Sequence, residues 1–308
     1  MQKIIPHLWF NTEAKEAAEF YTSVFPDSKI TQLSNIKDTP SGDCDIVSFQ
    51  VWGQKFMSIS AGPLFKFNPS ISFIVNFDPL FFKGADSPEK EARRKLDSVW
   101  ESLSKGGTVM MALDKYPFSE RYGWIQDKYG VTWQLALTDP KGPSRPPLVP
   151  SVMYVDNNAG RAEEAIKFYL DVFKNSKMGD AHRYGPDQKP DKEGTLMYAD
   201  FMIENCWLAA MDSARDHKFH FNEAISLLVT CDTQKEIDYY WSKLSADPNA
   251  EQCGWLKDKF GLSWQINPSR MEEMLSDKDP KRVKRVTEAF MKMKKFNLAE
   301  LEGAYQGV

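Results

Sequence analysis

The chain has 308 residues, a net charge of −4 and 42% hydrophobic residues, which suits a globular protein with two domains of about 150 residues each. The acidic balance gives no reason to expect nucleic acid as a partner, and no apolar run reaches the ~18 residues of a membrane span. The N-terminus has no signal-peptide core. Cys44, Cys206, Cys231 and Cys253 show no Cys-x-x-Cys spacing, so we expect free thiols in a cytoplasmic protein.

The first predicted module has the order β-α-β-β-β. The buried strand Ile4–Phe10 is followed by an amphipathic helix over Glu13–Phe25, which Pro26 ends. Three further strands are predicted at Lys29–Ser34, Asp45–Val51 and Phe56–Ala61.

The pattern then restarts. A strand over Ile71–Phe77 precedes a helix that begins at Ser87-Pro88 and ends at Gly106-Gly107. A strand over Val109–Leu113 and a hairpin over residues 123–134 complete the second β-α-β-β-β module.

This hairpin occurs twice. Residues 123–134 (GWIQDKYGVTWQ) and 254–265 (GWLKDKFGLSWQ) are identical at seven of twelve positions, which indicates an internal duplication. The Asp-Lys-aromatic-Gly stretch predicts a turn with Gly at a positive φ. On the outgoing strand, Trp133 and Gln134 are predicted to point to opposite faces.

The second half repeats the first. Residues 139–148 form a proline-rich linker, after which residues 149–154 match 5–10 and the helix, strand and hairpin patterns recur. We therefore expect two domains, 1–138 and 149–268, each with two modules.

The segment 269–308 does not repeat. It predicts three helices, Met271–Leu275, Pro280–Met293 and Leu298–Tyr305. An apolar stripe that includes Val286 and Phe290 predicts that this tail docks on the protein. Its Lys/Arg-rich face is expected to be solvated rather than to bind an anionic partner.

Paired β-α-β-β-β modules resemble the vicinal oxygen chelate superfamily, which includes glyoxalase I and the bleomycin and fosfomycin resistance proteins. Within it, the chain resembles the PhnB-like group, often labelled 3-demethylubiquinone-9 3-methyltransferase. The matching motifs are Ile5-Pro6-x-Leu8-Trp9-Phe10, the Gly62-Pro63-x-Phe65-x-Phe67-Asn68 segment, the duplicated hairpin and the tail. The resemblance implies an α+β fold of tandem glyoxalase-like domains, each half forming a cupped eight-stranded sheet.

The resemblance also implies where a divalent metal would be held. The corresponding residues are His7, Ser72 and Gln134 in the first half and Ser151, Ser226 and Gln265 in the second. One imidazole among neutral groups does not repay the desolvation of a metal ion, so we expect no cofactor. With Trp9, these residues are instead candidates for contacting a small-molecule ligand. A buried His7 that faces Gln134 in a packed core is the alternative.

Other patterns are weaker. His217-x-x-His220 could bind a metal, but alternation on an extended segment separates the two rings, and a surface loop is expected. No Gly-x-Gly occurs in the chain, so a conventional S-adenosylmethionine loop is not predicted.

The sequence is compatible with three functions. The first is a metal-free small-molecule binder. The second is an enzyme of the superfamily, such as a lyase, isomerase or dioxygenase, or the methyltransferase of the label. The third is a protein-interaction scaffold. The chain is expected to be a monomer with intramolecular domain pairing or a homodimer, without nucleic-acid or membrane partners.

Overall fold

The computed structural model describes residues 2–308. The first half holds two modules. Module 1 contains β1 (Ile4–Phe10), α1 (Ala14–Val24), β2 (Lys29–Thr39), β3 (Gly42–Val51) and β4 (Gln54–Ser60). Module 2 contains β5 (Ile71–Phe77), α2 (Pro88–Ser104), β6 (Thr108–Tyr116), β7 (Ser119–Gln126) and β8 (Thr132–Leu137).

The second half holds two more modules and the tail. Module 3 contains β9 (Leu148–Tyr154), α3 (Ala162–Val172), β10 (Lys177–Arg183), β11 (Leu196–Ile203) and β12 (Cys206–Asp212). Module 4 contains β13 (Ile225–Cys231), α4 (Gln234–Leu244), β14 (Trp255–Lys257) and β15 (Ser263–Pro268). The tail contains α5 (Met271–Leu275), α6 (Pro280–Phe290) and α7 (Leu298–Gln306). No helix within residues 2–308 has the length and apolarity needed to cross a membrane.

Two mixed sheets join the modules, which confirms the predicted α+β class. One sheet has the order β14-β15-β13-β1-β4-β3-β2 and the other has the order β10-β11-β12-β9-β5-β8-β7-β6. At their centres, β1 pairs antiparallel with β13 and β5 pairs antiparallel with β9. Both pairings lie within one chain.

The strand order corrects the expectation that each half forms its own sheet. Module 1 shares a sheet with module 4, and module 2 shares one with module 3. The physical reason is that the first strand of every module presents a similar apolar edge. The sequence of one module therefore does not specify which other module completes its sheet.

The two compact units follow these sheets. Unit 1 comprises residues 2–22, Asp27–Lys66 and Phe221–Val308, and unit 2 comprises Ser23–Pro26 and Phe67–His220. The proline-rich linker lies inside unit 2, where the Asn76 side chain donates to the carbonyl of Pro146 (2.9 Å). The sequence repeats and the compact units therefore have different boundaries.

The duplicated hairpins form as predicted, and a buried aspartate organises each one. In unit 1, Asp258 accepts hydrogen bonds from the backbone N–H of Phe260 and Leu262 and from the indole of Trp264, at 2.9–3.1 Å. Asp127 repeats the set in unit 2. The turn glycines, Gly130 and Gly261, have φ of +95° and +83°. Each carboxylate thus fixes the turn and the orientation of a fully buried tryptophan.

The tail docks within unit 1, as its apolar stripe predicts. Val286 and Phe290 of α6 are buried, and so are Phe296 and Leu301. A Cβ on Gly254 would come within 2.4 Å of the Phe296 ring, so a glycine is required for this approach. Helix α6 ends at Phe290, one turn earlier than the prediction, and the carbonyl of Met293 then accepts from the backbone N–H of Cys253 (2.8 Å).

The hairpin aspartate can be tested by substitution. Replacing Asp258 with Ala should lower the free energy of unfolding by about 3 kcal/mol, because several charge-assisted hydrogen bonds are lost and the Trp264 indole stays buried without a partner. Urea unfolding followed by tryptophan fluorescence measures this change.

The control is Asp216→Ala, which removes an exposed carboxylate whose one ion-pair partner among residues 2–308 is exposed Lys218. It should leave the urea midpoint unchanged. Equal midpoints for the two variants would contradict the role assigned to Asp258.

Candidate functional site

Unit 1 contains a cavity of about 590 Å³. Strands β1, β13 and β15 bring His7, Ser226 and Gln265 together, since His7 stands opposite Ser226 in the β1–β13 register and β15 runs beside β13. His7 and Gln265 line the cavity. Most of the remaining wall is apolar, and it includes Ile5, Trp9, Ile36, Ile46, Met57, Ile59, Phe65, Leu228, Trp255, Met271, Leu275 and Phe290.

His7 is a buried, neutral imidazole. It is 5% exposed, and its Nδ1 has no hydrogen-bond partner among the described residues. Burial lowers the pKa of His7 to about 3, and burial is the sole cause of the shift. A carboxylate at interaction distance would favour the charged ring and raise the pKa, so the ring has no acidic partner and stays uncharged near neutral pH.

Gln265 is held from one end only. Its Nε2 donates to the hydroxyl of Ser226 (2.9 Å), and the residue is 4% exposed. No donor among residues 2–308 bonds to its Oε1. The amide therefore presents an acceptor without a partner to the cavity.

Aromatic rings form one wall beside these polar groups. Trp255 meets the His7 ring edge-on, with ring centroids 5.4 Å apart, and Trp9 meets Trp255 at 6.0 Å and Phe65 at 5.1 Å. The indole N–H of Trp9 donates to the carbonyl of Gly62 (2.9 Å). This bond fixes the Trp9 ring, which leaves its surface available to a ligand.

The two carboxylates at the cavity wall are paired. Glu272 of the tail accepts from Lys55 (2.6 Å), and Glu223 accepts from Lys257 (2.9 Å). The Glu272 pair joins the tail to β4, so α5 forms a wall of the cavity. Neither carboxylate contributes a free charge to the centre of the site.

The remaining predicted residues, Ser72, Gln134 and Ser151, belong to unit 2, whereas His7 belongs to unit 1. Gln134 donates through Nε2 to the hydroxyl of Ser72 (2.7 Å), and its Oε1 accepts from the hydroxyl of Tyr122 (2.7 Å). Ser151 faces Ser72 across the β5–β9 register, and its hydroxyl has no partner among the described residues. The alternative in which His7 faces Gln134 is wrong, because module 1 pairs with module 4.

Larger side chains occupy the corresponding face of unit 2. Arg145, from the linker, binds both oxygens of Asp200 (2.6 and 3.0 Å) and lies 3.9 Å above the Trp207 ring. Tyr198 packs on a cluster with Ile74. In unit 1 the strand registers place Ser48, Lys55 and Ile46 where unit 2 has Asp200, Trp207 and Tyr198.

The residues around His7 do not fit a divalent metal. Its neighbours on the paired strands are Ser226 and Met57, and Gln265 completes the set. A thioether, a hydroxyl and an amide are weak ligands for the metals that imidazole and carboxylate hold. No cluster of three or more His, Cys, Asp or Glu occurs within the described residues 2–308.

Sequence reasoning missed several residues of this site. Met57, Cys253 and Glu272 line the cavity but were not predicted. Met57 and Cys253 correspond to Ala209 and Tyr122 in the aligned repeats. They could have been predicted as site residues if the pairing of the modules had been known. Glu272 lies in the tail, which has no repeat to align with. His217 and His220 lie in a surface loop, as predicted.

Modules 1 to 3 have the β-α-β-β-β order of the glyoxalase and bleomycin resistance fold. Module 4 has one strand fewer after its helix, so the sheet that it shares with module 1 has seven strands rather than the expected eight. A family model described as 3-demethylubiquinone-9 3-methyltransferase matches residues 2–136 and 146–267. The chain belongs to this family, and the resemblance to the PhnB-like group is confirmed.

Several solved structures are similar to the chain. A PhnB protein from Bacillus cereus is 34% identical, with 44% of this chain and 100% of that chain covered and a TM-score of 0.37. A protein from Staphylococcus aureus is 27% identical, with coverages of 45% and 98% and a TM-score of 0.18. Glyoxalase I from Zea mays is 13% identical, with coverages of 85% and 92% and a TM-score of 0.49. No functionally curated protein matches significantly.

The pKa of His7 yields a prediction about pH. The folded-state pKa of about 3 lies below the unfolded value of 6.5, so the unfolded chain takes up a proton first as the pH falls. The contribution of the neutral His7 ring to the free energy of unfolding is complete above pH 6.5 and is lost progressively as the pH falls from 6.5 towards 3. From pH 7 to pH 5 the loss is about 2 kcal/mol, at 1.36 kcal/mol per unit over roughly 1.5 units.

Urea unfolding at both pH values, compared with His7→Gln, measures this loss, and the variant should lack it. NMR of the His7 ring in the folded protein should show no titration between pH 7 and pH 5. A midpoint near pH 6 would show instead that the ring is solvated or paired with an acid.

Proposed function

We propose that the cavity of unit 1 binds a small, largely apolar molecule without the help of a metal. The observation that carries the proposal is the cavity of about 590 Å³, whose largely apolar wall includes the polar side chains of His7 and Gln265. This volume is within the range of small-molecule sites, which combine apolar walls with a few oriented polar groups.

The Gln265 amide supports ligand binding rather than a purely structural role. A buried polar atom without a partner costs free energy in the folded protein. Gln265 lines the cavity and, among the described residues, bonds through Nε2 alone, so its Oε1 depends on water or a ligand for a donor. A ligand that donates to this oxygen satisfies the amide, and the aromatic wall supplies the rest of the binding surface.

The other two functions have less support. An enzyme that used His7 as a base would need a pKa nearer neutrality, whereas burial holds this pKa at about 3. A protein-interaction scaffold would have sheet faces filled by side chains. The face of unit 2 fits that description better than unit 1, which contains the cavity. Metal catalysis by superfamily chemistry is not proposed, because the residues around His7 do not fit the ion.

A ligand screen tests the proposal. Small aromatic compounds should raise the melting temperature of the chelator-treated protein, since a ligand at ~100 times its Kd adds about 2.7 kcal/mol of stability. The variant Ile46→Tyr carries into unit 1 the ring that Tyr198 supplies in unit 2. It should fill the cavity and abolish the rise.

The matched control is Leu33→Tyr, which places the same ring at a site that is 52% exposed and outside the cavity wall. This variant should respond like the wild type. Mn, Fe, Co, Ni and Zn should produce no rise in either the wild type or His7→Ala. A metal-dependent rise that His7→Ala removes would overturn the metal-free proposal and favour the enzyme.

A further inference from the structure

The two repeated glutamines lie at equivalent positions but have different partners. Gln134 pairs with Trp124 across β7–β8, and Gln265 pairs with Trp255 across β14–β15. Each donates through Nε2 to a serine on the neighbouring parallel strand. The Oε1 of Gln134 accepts from a tyrosine hydroxyl, whereas the Oε1 of Gln265 has no donor among residues 2–308.

The missing donor has a structural cause. The residue of unit 1 that corresponds to Tyr122 is Cys253, which lines the cavity. Here the backbone leaves the strand, because Cys253 and Gly254 have φ of +50° and +82°. Their N–H groups bond to the carbonyls of Met293 and Lys294 in the tail (2.8 and 2.7 Å). No tyrosine hydroxyl among residues 2–308 therefore donates to Gln265.

The Tyr122–Gln134 pair shows which group satisfies such a glutamine in this fold. It is an aromatic ring that directs a hydroxyl at the amide oxygen, at 2.7 Å. In unit 1 the corresponding space belongs to the cavity, and the rings of Trp9, Phe65 and Trp255 line it. The amide oxygen accepts only, so an ether or ester oxygen cannot replace the hydroxyl.

We propose that the ligand of the cavity is a phenol whose hydroxyl donates to Gln265 Oε1, in the place that the Tyr122 side chain takes in unit 2. This inference rests on the proposed function, because it names the chemical class that the same cavity selects. Gln265 is then the residue that determines specificity, and the aromatic wall binds the ring.

Three probes of similar size separate the hydroxyl from the ring. They are 4-methylphenol, which is the tyrosine side chain itself, 4-methylanisole, in which a methyl group replaces the donated proton, and toluene. Calorimetric titration of the wild-type protein should give a dissociation constant for 4-methylphenol about five- to tenfold below those of the other two, the value of one buried neutral hydrogen bond.

Substitutions locate the preference. In Gln265→Leu the three probes should bind with equal affinity, and in Gln265→Glu, which keeps an acceptor oxygen at the same place, the preference for the phenol should persist. The matched control is Tyr122→Phe, which removes the corresponding hydroxyl from unit 2. It should leave the preference for the phenol unchanged.

The outcomes separate the inference from the proposed function. Equal binding of all three probes to the wild type would overturn the phenol inference and leave the binding function in place. Persistence of the preference in Gln265→Leu would overturn the inference as well, since the hydroxyl would then bond elsewhere. Failure of all three probes to bind, together with the wider aromatic panel, would remove the proposed function and the inference with it.

Discussion

The antiparallel pairing of first strands is the interaction on which the rest of the structure depends. Where β1 meets β13, His7 faces Ser226, and where β5 meets β9, Ser72 faces Ser151. Each pairing completes one mixed sheet and determines which polar side chains share its inner face. Because module 1 pairs with module 4, the one histidine among these positions lies with Gln265 rather than with Gln134.

The two inner faces have similar strands but differ in how their polar groups are satisfied. In unit 2, Asp200 accepts two hydrogen bonds from Arg145, and Gln134 uses both ends of its amide. Buried polar groups that are fully bonded stabilise a packed core. In unit 1, Gln265 lines the cavity and bonds through Nε2 alone, so its Oε1 has no donor among residues 2–308. The two faces therefore differ in how their repeated glutamines are satisfied.

Local rules predicted most elements but not their pairing. The Asp-Lys-aromatic-Gly turn, the alternation of Trp133 and Gln134, and the four modules all depend on neighbouring residues, so the sequence contains them. The choice of partner module depends on edges that are alike in all modules, and it was predicted wrongly. The position of Arg145 escaped prediction for a related reason, because the partners of a linker residue lie on strands more than 30 residues away.

The part of the chain that does not repeat explains why the two faces diverge. The carbonyls of Met293 and Lys294 follow α6 and draw Cys253 and Gly254 out of the strand. This removes from unit 1 the position that carries Tyr122 in unit 2, and it leaves the acceptor of Gln265 exposed to the cavity. Helix α5 then encloses the same space through the Lys55–Glu272 ion pair. One short tail thus both opens the space beside Gln265 and forms part of the cavity wall, so a segment outside the repeats accounts for part of the difference between the two faces.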